Sequence, residues 1–246
     1  MGLLLSPIRA AIDFALPPRC PGCGVVVEAD HRFCPDCWRS LDFLGSEGCA
    51  ACNVPLALPA PGALCAECMA EPPAHDGVRA VVAYGEIARA LVLKLKHGRK
   101  PGPAALIAEH LARRIDAGDG ALLIPVPLHR RRLWSRGFNQ SVLIGRALAR
   151  RTGHRLAVDV LRRTRATPML GGLGRDRRAR AVRGAFGIAR DKRDAISGRT
   201  VYLIDDVYTT GATANACAKA LKRAGAARVV ILCWARVIRD EAGGGY

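Results

Sequence analysis

Aromatic side chains are scarce: Phe, Trp and Tyr make up 5% of the 246 residues. A surface that grips nucleic acid mainly by stacking needs more of them, so any such contact should run through the phosphate backbone. Apolar runs of bilayer-spanning length are missing too, which excludes a transmembrane segment of that kind. The opening stretch, MGLLLSPIRAAIDFALPP, has no basic region ahead of its apolar patch, and Arg9 and Asp13 interrupt it. Without an evident small-residue cleavage site it does not read as a secretory leader. It reads as an amphipathic helix over residues 1–19, with Leu4, Ile8, Ala11, Ile12 and Ala15 near one face, packing on the protein or on a partner. Acid is in short supply, at 21 Asp and Glu against 38 Lys and Arg, for a net charge of +17. That balance favours polyanions: nucleic acid, a membrane surface or phosphorylated small molecules. The plainer alternative is a solvated, Arg-rich surface.

What is present begins with a core. Half of the residues are apolar, and 246 residues suffice for one α/β domain plus an appendage. Eight of the ten cysteines fall between Cys20 and Cys68 as four C-x-x-C pairs: Cys20/Cys23, Cys34/Cys37, Cys49/Cys52 and Cys65/Cys68. Two thiolates at that spacing can face one ion from a tight turn, and two such turns complete a tetrahedron. A disulfide framework would need export, and a redox motif would occur once. The expectation is about two structural zinc ions. The favoured pairing is consecutive, Cys20, Cys23, Cys34 and Cys37 on one ion and Cys49, Cys52, Cys65 and Cys68 on the other, with an interleaved pairing open. His31 reads as a surface residue. Cys217 and Cys233 read as small core residues.

The stretch Val201–Thr213, VYLIDDVYTTGAT, carries the chemistry. Val201, Tyr202, Leu203 and Ile204 read as a buried strand, followed by Asp205 and Asp206, then Thr209, Thr210, Gly211, Ala212 and Thr213, then a helix to about Ala224 closed by Gly225. A loop of small residues entering a helix points backbone N–H groups, aided by the helix dipole, at one anion. The acids at the strand's carboxyl end can accept hydrogen bonds from sugar hydroxyls, so a ribose bearing a phosphate fits both halves. The same strand ending could hold magnesium in a P-loop ATPase, but no G-x-x-x-x-G-K-[ST] loop is present.

Between these regions AEPPAHDG, residues 70–77, reads as a linker. Strands are expected over Val78–Tyr84, Leu122–Val126, Val158–Leu161 and Arg228–Leu232, and helices over Glu86–Lys96, Pro103–Ile115 and Asn139–Arg151, the last with Val142, Leu143, Ala147 and Leu148 inward. HRRRLWSRGFNQ reads as a basic loop between a strand's carboxyl end and a helix, the edge where open α/β sheets bind ligands. Its Arg130, Arg131, Arg132 and Arg136 suit a pyrophosphate. Thr164–Gly184 reads as a mobile, Arg-rich loop with a helix from about Arg175, suited to a lid.

The thirteen residues Val201–Thr213 closely resemble the 5-phosphoribosyl-1-pyrophosphate (PRPP) signature of type I phosphoribosyltransferases. The resemblance implies that Asp205 and Asp206 bind the ribose 2′- and 3′-hydroxyls, that Thr209, Thr210, Gly211, Ala212 and Thr213 bind the 5′-phosphate, and that magnesium accompanies PRPP. With PVPLHRRRLWSRGFNQ, LKLKHGRKPG, the loop ending in RGAF and the C-x-x-C pairs, the chain is similar to the ComF family over most of Cys20–Arg236. That family joins a double zinc ribbon, here residues 20–69, to a phosphoribosyltransferase-like domain, here residues 78–240. The implied fold is α/β, a mainly parallel sheet flanked by helices behind a zinc-ribbon module. The implied setting is competence: single-stranded DNA and the uptake machinery as partners, and a cytoplasmic place, peripheral to the inner face of the membrane. The chain departs from the family where Met169 and Ala181 stand near its usual Gln and Asn. Whether PRPP is turned over, handled with DNA, or only sensed is left open.

Overall fold

Val201–Ile204 is buried along its whole length, which a strand needs only when both faces of its sheet are covered. The computed structural model describes residues 17–97, 102–116, 118, 120–165 and 174–238. Its strands are β1 (Val78–Ala83), β2 (Leu122–Pro125), β3 (Arg155–Leu156), β4 (Leu161–Arg163), β5 (Phe186–Ile188), β6 (Thr200–Tyr208) and β7 (Arg228–Arg236). Five form a wholly parallel sheet in the order β1-β7-β6-β2-β3, while β4 and β5 pair antiparallel beside it. The helices are α1 (Pro35–Arg39), α2 (Ala66–Ala70), α3 (Glu86–His97), α4 (Gly102–Ala112), α5 (Arg130–Arg136), α6 (Gln140–Thr152), α7 (Arg175–Val182) and α8 (Ala212–Arg223). The fold is therefore α/β, a parallel sheet flanked by helices.

Alternation along β6 and β7 sorts the core into two layers. Val201, Leu203, Val229 and Ile231 face Cys217 and Leu221 of α8. Tyr202, Ile204, Val230 and Leu232 face Leu91 and Leu95 of α3, Ile107 and Leu111 of α4, and Ile144 and Leu148 of α6. The chain leaving β2 returns through α6 to β3 on one side, and the chain leaving β6 returns through α8 to β7 on the other. The order thus reverses between β2 and β6, and their carboxyl ends bound the crevice where such sheets take ligands.

Several expectations are corrected. The acids do not follow the strand but lie inside it, because β6 keeps pairing with β7 through Tyr208↔Arg236 after β2 has ended at Pro125. The arginine segment is not a loop: Arg130–Arg136 closes into α5, with the His129 ring accepting from Arg131 N–H and Gly137 ending it at φ 80°. Of the residues expected on the inward face of α6, Leu148 is buried and Leu143 and Ala147 pack half-buried against the same core, while Ser141 and Ile144 complete that face and Val142 is half-buried. In place of one strand over Val158–Leu161, β3 and β4 flank that segment. The linker is tied down: Ala74 N–H donates to Asn215 Oδ1 at 2.9 Å, and Asp76 N–H donates to Val229 O at 2.8 Å. Most of the expected N-terminal helix lies outside the described residues, as do residues 166–173 of the expected lid; α7 does begin at Arg175. Among the described residues no helix is long and apolar enough to cross a membrane.

Both ribbons dock on the sheet. The few aromatics concentrate at the first: Phe33 stacks on Trp234 at 6.4 Å, Trp38 meets Phe43 at 4.6 Å, and His110 of α4 lies 5.7–5.9 Å from Trp38, Phe43 and Trp234. The segment between the ribbons pairs antiparallel with β1. Leu44 N–H donates to Val81 O and Ala83 N–H donates to Asp42 O, with a bridge at Phe43↔Val82.

Candidate functional site: an acid pair and a small loop at the switch point of the sheet

At the switch point Asp206 is buried and ion-paired with Lys96 at the end of α3, Nζ to Oδ2 2.7 Å. The Asp205 carboxylate accepts from Asp206 N–H at 2.9 Å and from Ser141 Oγ at 3.4 Å. Burial, and then repulsion from Asp206, pushes the Asp205 carboxyl well above the usual range, with Lys96 pulling the other way. One acid is thus already held by an ion pair, and its half-buried neighbour meets two neutral donors.

The loop after β6 does what its residues allow. Gly211 sits at φ 75°, and a Cβ there would come 2.3 Å from the Tyr208 hydroxyl, so only glycine fits the turn. It is the N-cap of α8 and offers no side-chain bond to that helix's first N–H groups. Thr210 Oγ1 is buried without a hydrogen-bond partner among the described residues. Arg178 of α7 donates from Nη1 to Thr209 Oγ1 at 3.1 Å. Asp205, Arg178 and Thr209, Thr210, Gly211, Ala212 and Thr213 together line a small cavity of about 40 Å³. Backbone donors, a hydroxyl without a partner and a guanidinium suit a phosphate, and the carboxylate beside them suits sugar hydroxyls.

The other predicted arginines stand elsewhere. Arg130 lines a separate, larger groove, Arg136 donates to Gln140 Oε1 at 2.8 Å, and Arg131 is exposed. None of Arg130, Arg131, Arg132 and Arg136 lines the cavity around Asp205.

The eight N-terminal cysteines gather as two groups, Cys20, Cys23, Cys34, Cys37 and Cys49, Cys52, Cys65, Cys68, with the sulfurs of each within 4.8 Å of one another. This is the consecutive pairing. Tetrahedral zinc at the usual zinc–sulfur length sets sulfurs roughly 3.8 Å apart; Cys23 to Cys34 is 3.6 Å and Cys52 to Cys65 is 3.7 Å. Backbone N–H groups of Cys34 and Cys65 point at the sulfurs of Cys20 and Cys49, 3.3 Å in each case, as they do toward thiolates. Both sites fit structural zinc.

Sequence reasoning missed the residues that join these parts. Arg236 is buried at the end of β7, donates to Cys52 O at 2.5 Å and to Cys52 Sγ at 3.0 Å, and lies over the Tyr208 ring. His75 meets the Tyr208 hydroxyl at 3.1 Å. The second ribbon therefore braces the tyrosine that sits beneath Gly211. Lys96 was visible only as one charge in a basic run, and nothing local signals its turn toward Asp206.

Fold and site define a class: a parallel α/β domain with a phosphoribosyltransferase-like strand, acid pair, loop and helix, preceded by two ribbons of four cysteines each. A double zinc ribbon domain model matches residues 11–73. The chain is 30% identical over 226 residues to DNA utilization protein YhgH of Escherichia coli O6:H1, covering 89% of this chain and 90% of that one. It is 34% identical over 114 residues to competence protein F of Haemophilus influenzae, 46% of this chain and 49% of that one. This chain belongs to the ComF family. Among solved structures it is similar over 57% of its length to a glutamine PRPP amidotransferase from B. subtilis, at 18% identity, 30% of that chain and a TM-score of 0.38. A hypoxanthine phosphoribosyltransferase from Staphylococcus aureus matches over the same 57%, at 15% identity, 67% of that chain and a TM-score of 0.33.

Proposed function

We propose that the chain binds PRPP, with magnesium, at the β2–β6 switch point and works in the handling of single-stranded DNA during uptake. The observation that supports the first part best is the adjacent acid pair, its buried member Asp206 held by Lys96 and its half-buried member Asp205 left receptive, beside a loop with a partnerless buried hydroxyl. The 5′-phosphate would take the N–H groups at the head of α8, Thr210 Oγ1 and Arg178, and the ribose hydroxyls would donate to Asp205. Magnesium fits the same donor set, since it is commonly held by one or two carboxylates together with substrate phosphates. When bound it would offset charge on the pyrophosphate. The DNA part rests on the net charge of +17 and on relatives named for DNA utilization and competence.

If the sugar is transferred, an acceptor forms a bond to its anomeric carbon as the bond to pyrophosphate oxygen breaks, and positive charge builds on the ring. Among the described residues Asp205 is the only carboxyl lining the cavity, and in this reading it is engaged by the sugar hydroxyls. Calorimetry with PRPP and magnesium tests the reading, followed by a screen of acceptors for pyrophosphate release. Release identifies a transferase; binding without release identifies a DNA-handling or PRPP-sensing protein; absence of binding overturns the site.

A further inference from the structure

A second, larger concavity of about 890 Å³ opens between the end of β2, α5, α6 and β4, and it shares no lining residue with the phosphate pocket. Its floor is apolar, with Leu128, Phe138, Val142 and Leu143. Its walls carry Arg130, Arg146, Arg162 and Arg163, and among the described residues no acid lines it. Trp134 does not line it but follows Leu133, which does, and stands one helical turn after Arg130 on α5, 89% exposed, in a chain with three tryptophans. The other two are accounted for: Trp234 is fully buried and Trp38 packs with Phe43. An indole this exposed offers its ring face to a ligand, and the surrounding positive charge favours an anionic one.

We propose that this groove is the track of a single nucleic-acid strand, with Trp134 as the platform on which one base stacks and Arg130, Arg146 and Arg162 on the phosphates. The proposal rests on the DNA-handling part of the function above and names the surface that performs it. Phosphates meet the arginine walls, bases meet the apolar floor and the indole, and no side chain is needed to read base edges, so recognition is tolerant of sequence. A duplex keeps its bases stacked inside and offers none to Trp134. A lipid surface is the less suitable occupant. The helix α5 carries just two large apolar side chains, Leu133 and Trp134, both exposed, where an interfacial helix presents a continuous apolar face.

The test uses the zinc-loaded full chain, a labelled oligothymidylate, an abasic strand of equal length, and vesicles of mixed phosphatidylglycerol and phosphatidylcholine. Binding is read by anisotropy and by tryptophan emission. Oligothymidylate should quench the exposed indole and the abasic strand should not. Trp134→Ala should weaken oligothymidylate about five- to a hundred-fold and leave the abasic strand unchanged, whereas Trp134→Phe should keep affinity and abolish the quench. Arg130→Ser with Arg146→Ser should lower the slope of log affinity against log salt by about 0.7 for each phosphate no longer neutralised. Oligothymidylate binding indifferent to Trp134→Ala overturns this groove and leaves DNA handling standing. No binding by the unaltered protein at low salt overturns DNA handling itself. Quenching by vesicles and not by oligothymidylate assigns the surface to lipid and overturns the proposal.

Discussion

Asp205 is held where its charge is unwelcome. A carboxyl whose pKa is raised on folding favours the fold while protonated and loses that advantage as pH rises through the folded value, so at neutral pH its ionised form destabilises. Asp205→Asn should therefore raise the apparent Tm near pH 7, by roughly 2–4 °C for each kcal/mol relieved. It should also abolish PRPP affinity by calorimetry. A gain in stability that comes with a loss of binding is the signature of a functional carboxylate, and a variant that loses both would mark Asp205 as structural. His75 gives the opposite pH sign. Burial lowers its pKa from 6.5 to about 4, opposed in part by Asp76, so stability is present above pH 6.5 and falls away as pH drops from there toward 4. Denaturant titrations of the unaltered chain and of His75→Gln across that interval should diverge, the variant being the flatter.

At the scale of elements, the Arg79–Asp116 pair ties β1 to the turn after α4 through two bonds of 3.0 and 2.8 Å, and Tyr202 Oη donates to the same carboxylate. The Arg79 hydrogen bond holds Asp116 below its ordinary pKa, so this contribution is present above about pH 4 and disappears below it. Asp116 is half exposed, so Asp116→Asn should cost no more than about 1 kcal/mol at pH 7, read from denaturant midpoints. Legibility divides along the same lines. The C-x-x-C turns and the run Val201–Ile204 could be read because their chemistry is complete within a few residues. Acids are poor strand formers, so nothing local extends the strand over Asp205 and Asp206; pairing with β7 does. The helix at Arg130–Arg136 is legible in its residue types, since arginine and leucine are good helix formers and Gly137 is a fitting stop, but a run of like charge reads equally as a solvated loop. His75–Tyr208 and Arg236–Cys52 join residues 133 and 184 apart, and no periodicity spans such distances.

For the whole molecule, a charge of +17 guarantees some salt-sensitive adhesion to any polyanion, so affinity alone says little. Joint occupancy says more. The phosphate pocket and the arginine groove have no lining residue in common, so saturating PRPP should leave strand affinity unchanged. Competition would instead place Arg130 on the pyrophosphate. Metal analysis of protein purified without added zinc should return about two ions per chain.

β1 lies at the end of the sheet, and the Asp42–Leu44 segment between the ribbons pairs along it. The ribbons thus act as a shield for a sheet margin that would otherwise be open to strands of other molecules. Stripping the zinc should do more than unfold a small module. It should uncover that margin and make the protein self-associate with time and concentration, visible as rising light scattering on chelation. Restoring zinc before assembly begins should hold it back, and adding zinc afterwards should not reverse it.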